Sequence, residues 1–256
     1  MNPAKPTRSP LAYRNTEFLD SDDARPLRIL AEYTAPLQAF RRERVCDTIV
    51  FFGSARIVAG SPLGRYYDDA RELARLVTAW SENLPSSAKR YVVCTGGGPG
   101  IMEAGNRGAA DAGGRSIGLN IGLPDEQQPN PFIPRELTFE FHYFFMRKLW
   151  FAHLARALVV FPGGFGTMDE LFEILTLVQT QKLERPIPVV LYGPDYWNEI
   201  INFEALARHG LIDRSDLSLF AFADDPPTAL ALLQKGIAGV PEDEAPAFAH
   251  SQRPIC

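Results

Sequence analysis

Between residues 24 and 44, apolar side chains fall at Leu27, Leu30, Tyr33, Leu37 and Phe40. Gaps of three and four predict an amphipathic helix, with Pro36 as a point where it could kink. The 21 residues before Asp22 contain three prolines and no period, which predicts a loose arm. After residue 44 the pattern changes. Short apolar runs alternate with helical periods: Thr48–Phe52 as a strand, then Tyr66, Ala70, Leu73, Val77 and Trp80 as a helix. Arg90–Cys94 reads as a second strand, followed by a helix to about Gly113, and Ser116–Ile121 as a third. Residues 123–135 are a proline-rich loop. A short strand at Leu137–Phe141 precedes a helix from about Tyr143 to Arg156. Ala157–Phe161 is a buried strand leading to a helix that ends near Lys182. Pro188–Tyr192 is a strand, Asp195–His209 a helix, Leu217–Phe222 an edge strand and Pro227–Gly236 a closing helix.

Continuous apolar strands separated by helices predict an α/β fold, a doubly wound parallel sheet with helices on both faces in three layers. The expected organisation is an N-terminal arm and helix over 1–45, one domain over 46–238 and a tail over 239–256. In such sheets ligands bind beyond the carboxyl ends of the strands. Two glycine clusters fall at that edge, Gly96-Gly97-Gly98-Pro99-Gly100 and Pro162-Gly163-Gly164-Phe165-Gly166-Thr167. They hold seven of the 20 glycines.

Composition narrows the chemistry. Apolar residues make up 46% and charged residues 22% of the 256, as in ordinary globular proteins. A net charge of −5 argues against a nucleic-acid polymer, which needs a basic face, but leaves room for a small anion. No apolar run approaches the ~18 residues that span a bilayer, and the N-terminus has no apolar leader, so a cytoplasmic protein is expected. Cys46, Cys94 and Cys256 are far apart and suggest neither a disulfide framework nor a zinc site. His142, His153, His209 and His250 show no metal-ligand spacing.

A glycine loop between strand and helix lets backbone N–H groups approach an anion, helped by the partial positive charge of the helix start. Neither loop is followed by Gly-Lys-Ser/Thr, and neither completes GxGxxG: Ile101 and Asp169 stand where the last glycine would be. Standard ATP and NAD sites are therefore not expected. Thr167-Met168-Asp169-Glu170 also matches a capping box, in which Glu170 would return to the Thr167 amide. Read the other way, Asp169 and Glu170 put acids one turn beyond an anion site, a geometry suited to a phosphosugar. Arg147-Lys148 sits among aromatic residues at a helix start, where cations call for an anionic partner. Glu103 and Asn106, in the helix after Gly100, serve either to pack that loop or to meet ribose hydroxyls. Cys94 ends a buried strand and reads as core.

Arg147-Lys148 followed by Pro162-Gly163-Gly164-Phe165-Gly166-Thr167-Met168-Asp169-Glu170 resembles the PGGxGTxxE signature and upstream Arg-Lys of the Lonely Guy (LOG) family. The resemblance runs from about Thr48 to Gly236 and includes Phe52-Gly53-Ser54-Ala55. It implies a Rossmann-like homodimer that hydrolyses the N-glycosidic bond of nucleoside 5′-monophosphates, such as AMP and cytokinin riboside monophosphates, to free base and ribose 5-phosphate. No cofactor, no metal and no nucleic-acid polymer or membrane partner is expected. By motif, Arg147 and Glu170 are the catalytic pair. Lys148, Gly163, Gly164, Phe165, Gly166, Thr167, Thr176, Glu126, Gly97, Gly98 and Ser54 are the matching nucleotide-site positions. An older lysine decarboxylase label of the family is not supported, because no lysine here suits a Schiff base. The N-terminal extension and Phe145-Met146 resemble a longer subgroup.

In the chemistry so implied, breaking the C1′–N bond builds positive charge on the ribose, which Glu170 would stabilise while orienting water. Arg147 would keep that acid ionised or hold the phosphate. Glu126 or water would protonate the leaving base. A non-catalytic binder of the same fold, for a nucleotide or molybdenum cofactor, is the competing expectation. The intact Arg147 and Glu170 speak against it.

Overall fold

The structure is a computed structural model that describes residues 9–85, 90–122, 128–183 and 187–238. Seven parallel strands form one sheet: β1 (Thr48–Phe52), β2 (Val92–Thr95), β3 (Ser116–Ile121), β4 (Thr138–Phe141), β5 (Ala155–Val160), β6 (Val189–Tyr192) and β7 (Phe220–Ala223). Their order is β4-β3-β2-β1-β5-β6-β7. The chain winds outward from β1 to one edge, returns, and winds outward again from β5. β1 and β5 are paired neighbours, with Val50 opposite Leu158. The point where the winding reverses therefore lies between them, where doubly wound sheets open a crevice beyond the carboxyl ends.

The helices are α1 (Thr16–Asp20), α2 (Arg25–Glu43), α3 (Arg65–Glu82), α4 (Ile101–Asp111), α5 (Phe144–Leu154), α6 (Phe165–Gln179), α7 (Pro194–Ile200), α8 (Phe203–Arg208) and α9 (Pro226–Ala238). Alternation along β1 divides the core. Val50 and Phe52 join one buried cluster with Phe40, Trp150, Phe151, Leu171 and Trp197, contributed by α2, α5, α6 and α7. Ile49 and Phe51 join the other, with Leu73, Val77, Ala104 and Leu233 from α3, α4 and α9. The result is the expected three-layer α/β architecture.

The N-terminal segment departs from a loose arm. Residues 12–24 form short helical turns, and Arg28 donates to the carbonyls of Leu19 and Ser21 to hold them against α2. α2 continues through Pro36. Proline has no N–H, so it frees the Glu32 carbonyl that the helix would otherwise engage. The Trp150 indole N–H takes that carbonyl at 3.0 Å, so no buried acceptor is orphaned. Tyr33 stacks on Trp150 at 5.4 Å, and Phe40 meets Trp150 edge-on at 5.2 Å. α2 is thus docked on the sheet's helical layer.

Two other boundaries differ. The expected helix 195–209 breaks at Ile201, and Asn202 caps α8 by accepting from the Ala205 amide. The expected strand from Leu217 starts only at Phe220, because Arg214–Ser218 form a 3₁₀ turn closed by Asp213 and Asp216. Among the cysteines, Cys94 is free and buried, as expected of a core residue.

Phe40 is fully buried against Phe139 and Trp150. Phe40→Ala is expected to cost about 3–5 kcal/mol in urea denaturation, as for other buried phenylalanines. A loss below about 1 kcal/mol would mean that α2 does not belong to the cooperative core.

Candidate active site

The reversal point carries a cleft of about 1010 Å³. Its walls are the β1–α3 loop (Gly53 to Ile57 and Ser61 to Leu63), Gly96 after β2, Asn120 and Ile121 of β3, the start of α5, and the β5–α6 turn with the first residues of α6. The two loops at the centre are pinned together. Phe161 donates to the Phe52 carbonyl at 2.8 Å, and Ser54 to the Pro162 carbonyl at 3.0 Å.

Glu170 and Arg147 meet inside this cleft. Arg147 Nη1 donates to Glu170 Oε1 at 2.7 Å and its Nε to the Leu119 carbonyl at 2.7 Å. Its guanidinium carbon lies 4.9 Å from the Phe151 ring centroid. Arg147 is only 9% exposed. A side chain at Gly96 would strike the guanidinium, so the glycine is what admits Arg147. The Glu170 carboxyl is pushed up to about 6, because burial outweighs the charge and hydrogen bond of Arg147. Pairing alone would have kept it lower.

The capping box does not form. α6 starts at Phe165, with Gly164 as its N-cap and no side chain capping it. Glu170 turns to Arg147 instead. Thr167 is buried and folds over Gly163, at a position that any side chain on Gly163 would occupy. Tyr196 donates to the Gly163 carbonyl at 2.6 Å, which fixes the turn. Gly164 and Gly166 have open space around them. The first turn of α6 therefore presents N–H groups that no helical carbonyl can reach, with no acid in that turn, at the cleft wall. This is an anion-receptive surface one turn above Glu170.

The other glycine loop serves the frame. Gly97 (φ +76°) packs on Asn120, and its N–H goes to Thr95 Oγ1 at 2.9 Å. Asn130 holds the Gly97 and Gly98 carbonyls at 3.0 and 3.1 Å and Asn106 Oδ1 at 2.9 Å. Asn106 also accepts from Thr95 and donates to the Ile117 carbonyl, so it packs the loop. Glu103 accepts from Tyr67 at 2.8 Å.

The cleft therefore brings together Arg147, Glu170, Ser54 and Gly163 to Thr167. Gly97 and Gly98 are not among its lining residues. Lys148, next to Arg147 on α5, is not among the cleft-lining residues and is bonded to Asp169 at 2.7 Å and Glu173 at 3.2 Å on α6. Burial lowers the Lys148 pKa, but these two partners together raise it. Thr176 returns its hydroxyl to the Phe172 carbonyl on an exposed face of α6. Glu126 lies outside the described residues. Two residues went unnoticed in the sequence. Arg56 lines the cleft, is exposed, and has no ion-pair partner among the described residues. Ser61 lines it with a buried hydroxyl that lacks a hydrogen-bond partner. Arg56 directly follows the quoted Phe52–Ala55 run, so proximity to that run was the available signal. For Ser61 there was none.

A doubly wound sheet with a crevice at its reversal point, an uncapped helix start and a largely buried acid–guanidinium pair makes a cleft receptive to a small anion. A family model described as "possible lysine decarboxylase" matches residues 102–233, just over half of the chain. The chain belongs to that family, the LOG family of the resemblance above. A cytokinin riboside 5′-monophosphate phosphoribohydrolase of Arabidopsis thaliana is 27% identical over 210 residues, covering 78% of this chain and 84% of that protein. A pyrimidine/purine nucleotide 5′-monophosphate nucleosidase of Escherichia coli is 31% identical over 124 residues, which span 43% of this chain and 27% of the relative. The crystal structure of the structural-genomics target TM1055 shares the fold, with a TM-score of 0.54 and 23% identity, covering 74% of this chain and 99% of that one. The cleft gives no support to lysine decarboxylation. Decarboxylation of lysine through a Schiff base needs a lysine there, and none is found among the described lining residues. Among the described residues no helix is long and apolar enough to cross a membrane, and no group of three metal-binding side chains is found.

A carboxyl raised in the fold binds its proton more tightly when folded, so its contribution is present at low pH and lost as pH rises through about 6. The stability of wild type relative to Glu170→Gln should therefore fall by about 2 kcal/mol between about pH 4 and pH 7.5. Denaturation at stepped pH measures it, and a flat difference would contradict the raised value.

Proposed function

We propose that this protein hydrolyses the N-glycosidic bond of nucleoside 5′-monophosphates, AMP or N6-modified AMP, giving free base and ribose 5-phosphate. The observation that carries the reading is Glu170, partly buried, paired with Arg147, and one helical turn below the uncapped start of α6. The named activities of the relatives support the same chemistry.

The 5′-phosphate sits on the first-turn amides of α6. Arg56 supplies the full positive charge that those amides lack. Arg147 cannot, because its charge is already engaged by Glu170, and Lys148 is engaged by Asp169 and Glu173. Ser54 and Ser61 offer hydroxyls on the same wall. With the phosphate anchored there, the ribose lies over the Glu170 carboxylate. As the C1′–N bond breaks, the bonding electrons leave with the base and positive charge develops at C1′ and the ring oxygen. Glu170 stabilises that charge and orients the water that attacks C1′. The water's proton passes to solvent through Glu170, and the base takes its proton from water or Glu126. Arg147 fixes the carboxylate and keeps part of the population ionised near neutral pH. A pure carrier of the same fold would have no use for an acid held beside the sugar. The exposed Phe144, Phe145, Leu149, Phe165 and Phe172 on α5 and α6 support pairing of two copies into a homodimer.

The direct test incubates purified protein with AMP, GMP, CMP and isopentenyladenosine monophosphate and measures free base by chromatography. Release is expected from at least one of them, and nucleosides without phosphate should be poor substrates. Glu170→Gln should lower kcat by about 10²–10³, the scale of losing one electrostatic stabiliser. Near wild-type release by Glu170→Gln would sink the assignment. Arg56→Ala should raise KM for AMP about tenfold, the scale of one charged hydrogen bond, while leaving any slow turnover of adenosine unchanged. An unchanged KM would remove Arg56 from the phosphate site.

A further inference from the structure

We infer that Glu32, on the N-terminal helix α2, is a positioning residue for Arg147. The inference rests on the reading of Arg147 and Glu170 as the catalytic pair. α5 carries Arg147 in its first turn, yet no side chain of its own caps its start. The cap comes from α2. The Glu32 carboxylate accepts from the His142 amide at 2.8 Å and from the Tyr143 amide at 3.2 Å. A carboxylate at that end also opposes the partial positive charge of the helix start.

The same residue holds α5 a second time. Pro36 has no N–H to offer the Glu32 carbonyl, and the Trp150 indole takes that carbonyl instead at 3.0 Å. Glu32 thus grips α5 at His142-Tyr143 through its side chain and two turns later at Trp150 through its backbone. Arg147 lies between these grips. Its own amide donates to the Tyr143 carbonyl at 3.2 Å. A continuous path therefore runs from the Glu32 carboxylate through the Tyr143 peptide to the Arg147 backbone, and from its guanidinium to Glu170 at 2.7 Å. Arg25 of α2 also reaches this end, 5.6 Å from the Tyr143 ring centroid, so Glu32 is not the whole contact. Its contribution is the directional one, because it alone among the described α2 side chains bonds the backbone of the α5 start.

The consequence is that the N-terminal segment belongs to the catalytic apparatus. Without the carboxylate the first turn of α5 loosens, Arg147 spends less time on Glu170, and the acid becomes harder to ionise. The test compares wild type, Glu32→Gln, Glu32→Ala and, as a control for general destabilisation, Arg65→Ala, which breaks an exposed ion pair with Asp224. Three quantities are measured: amide hydrogen exchange over residues 142–150, kcat and KM for AMP, and the acid limb of kcat against pH. His142 beside Glu32, and Lys148 and Asp169 beside Glu170, are the same in every variant, so a difference in that limb reports the Arg147–Glu170 pair.

In Glu32→Ala, exchange over 142–150 should quicken about tenfold, the scale of a lost cap. kcat should fall about tenfold with KM within about twofold, the signature of a displaced catalytic group. The acid limb should move to higher pH. Glu32→Gln should be intermediate, and it carries the test if the alanine variant does not fold. Arg65→Ala should change none of the three. Wild-type kcat and an unmoved limb in both Glu32 variants would overturn the inference while leaving the proposed reaction intact. If wild type releases no base from any nucleotide, the reaction fails and exchange alone decides: faster exchange over 142–150 supports the positioning, and unchanged exchange overturns it.

Discussion

The ion pair between Arg147 and Glu170 is the constraint around which the cleft is arranged. Taking both charges out of water costs several kcal/mol per ion before their attraction returns any of it. Such a pair persists only if its remaining hydrogen-bonding capacity is met and its shape is accommodated. Here Arg147 finds the Leu119 carbonyl and the face of Phe151, and Gly96 clears the space that its guanidinium fills. The loop after β2, strand β3 and helices α5 and α6 all contribute to one contact of 2.7 Å. Burial still dominates the Glu170 carboxyl and leaves it near 6, inside the range where it can exchange protons near neutral pH.

Around that pair the two glycine loops take opposite parts. The loop after β5 is held from behind by Thr167 and Tyr196 and is open in front at Gly164 and Gly166. The loop after β2 is closed on itself by Thr95, Asn106 and Asn130, and only Gly96 reaches the cleft. The sheet edge therefore presents one receptive helix start, rigidly placed, and not two competing ones. The charge distribution follows the same economy. Of the three described cations in or near the cleft, two are neutralised by carboxylates at hydrogen-bond distance, and Arg56, which has no ion-pair partner among the described residues, is the proposed contact for an incoming anion.

Much of this was legible in the residues. β-branched and aromatic runs marked β1 and β3 to the residue, since strands buried on both faces have continuous apolar character. The spacing of Arg147 and Glu170 around a strand and a glycine turn was readable because both sit within one α5–β5–α6 unit, where local order sets the distance. What escaped depended on partners far along the chain. Nothing local says that Asn130 closes the Gly97 turn, that Lys148 is taken up by Asp169 and Glu173, or that the carbonyl freed by a proline at position 36 is met by an indole at position 150. The break at Ile201 and the cap at Asn202 were obscured by apolar periodicity that continues across them. Arg56 was missed because an exposed arginine in a loop is ordinary until the neighbouring cations are seen to be spoken for.

The central claim is that the phosphate and the acid lie on either side of one ribose. Its most direct measurement is a crystal structure of the Glu170→Gln variant soaked with AMP. The account predicts phosphate oxygens within hydrogen-bond reach of the Gly164–Thr167 amides and of Arg56, with the residue 170 side chain facing C1′ of the intact nucleotide. A nucleotide bound with its phosphate away from the start of α6, or with C1′ turned from residue 170, would contradict it.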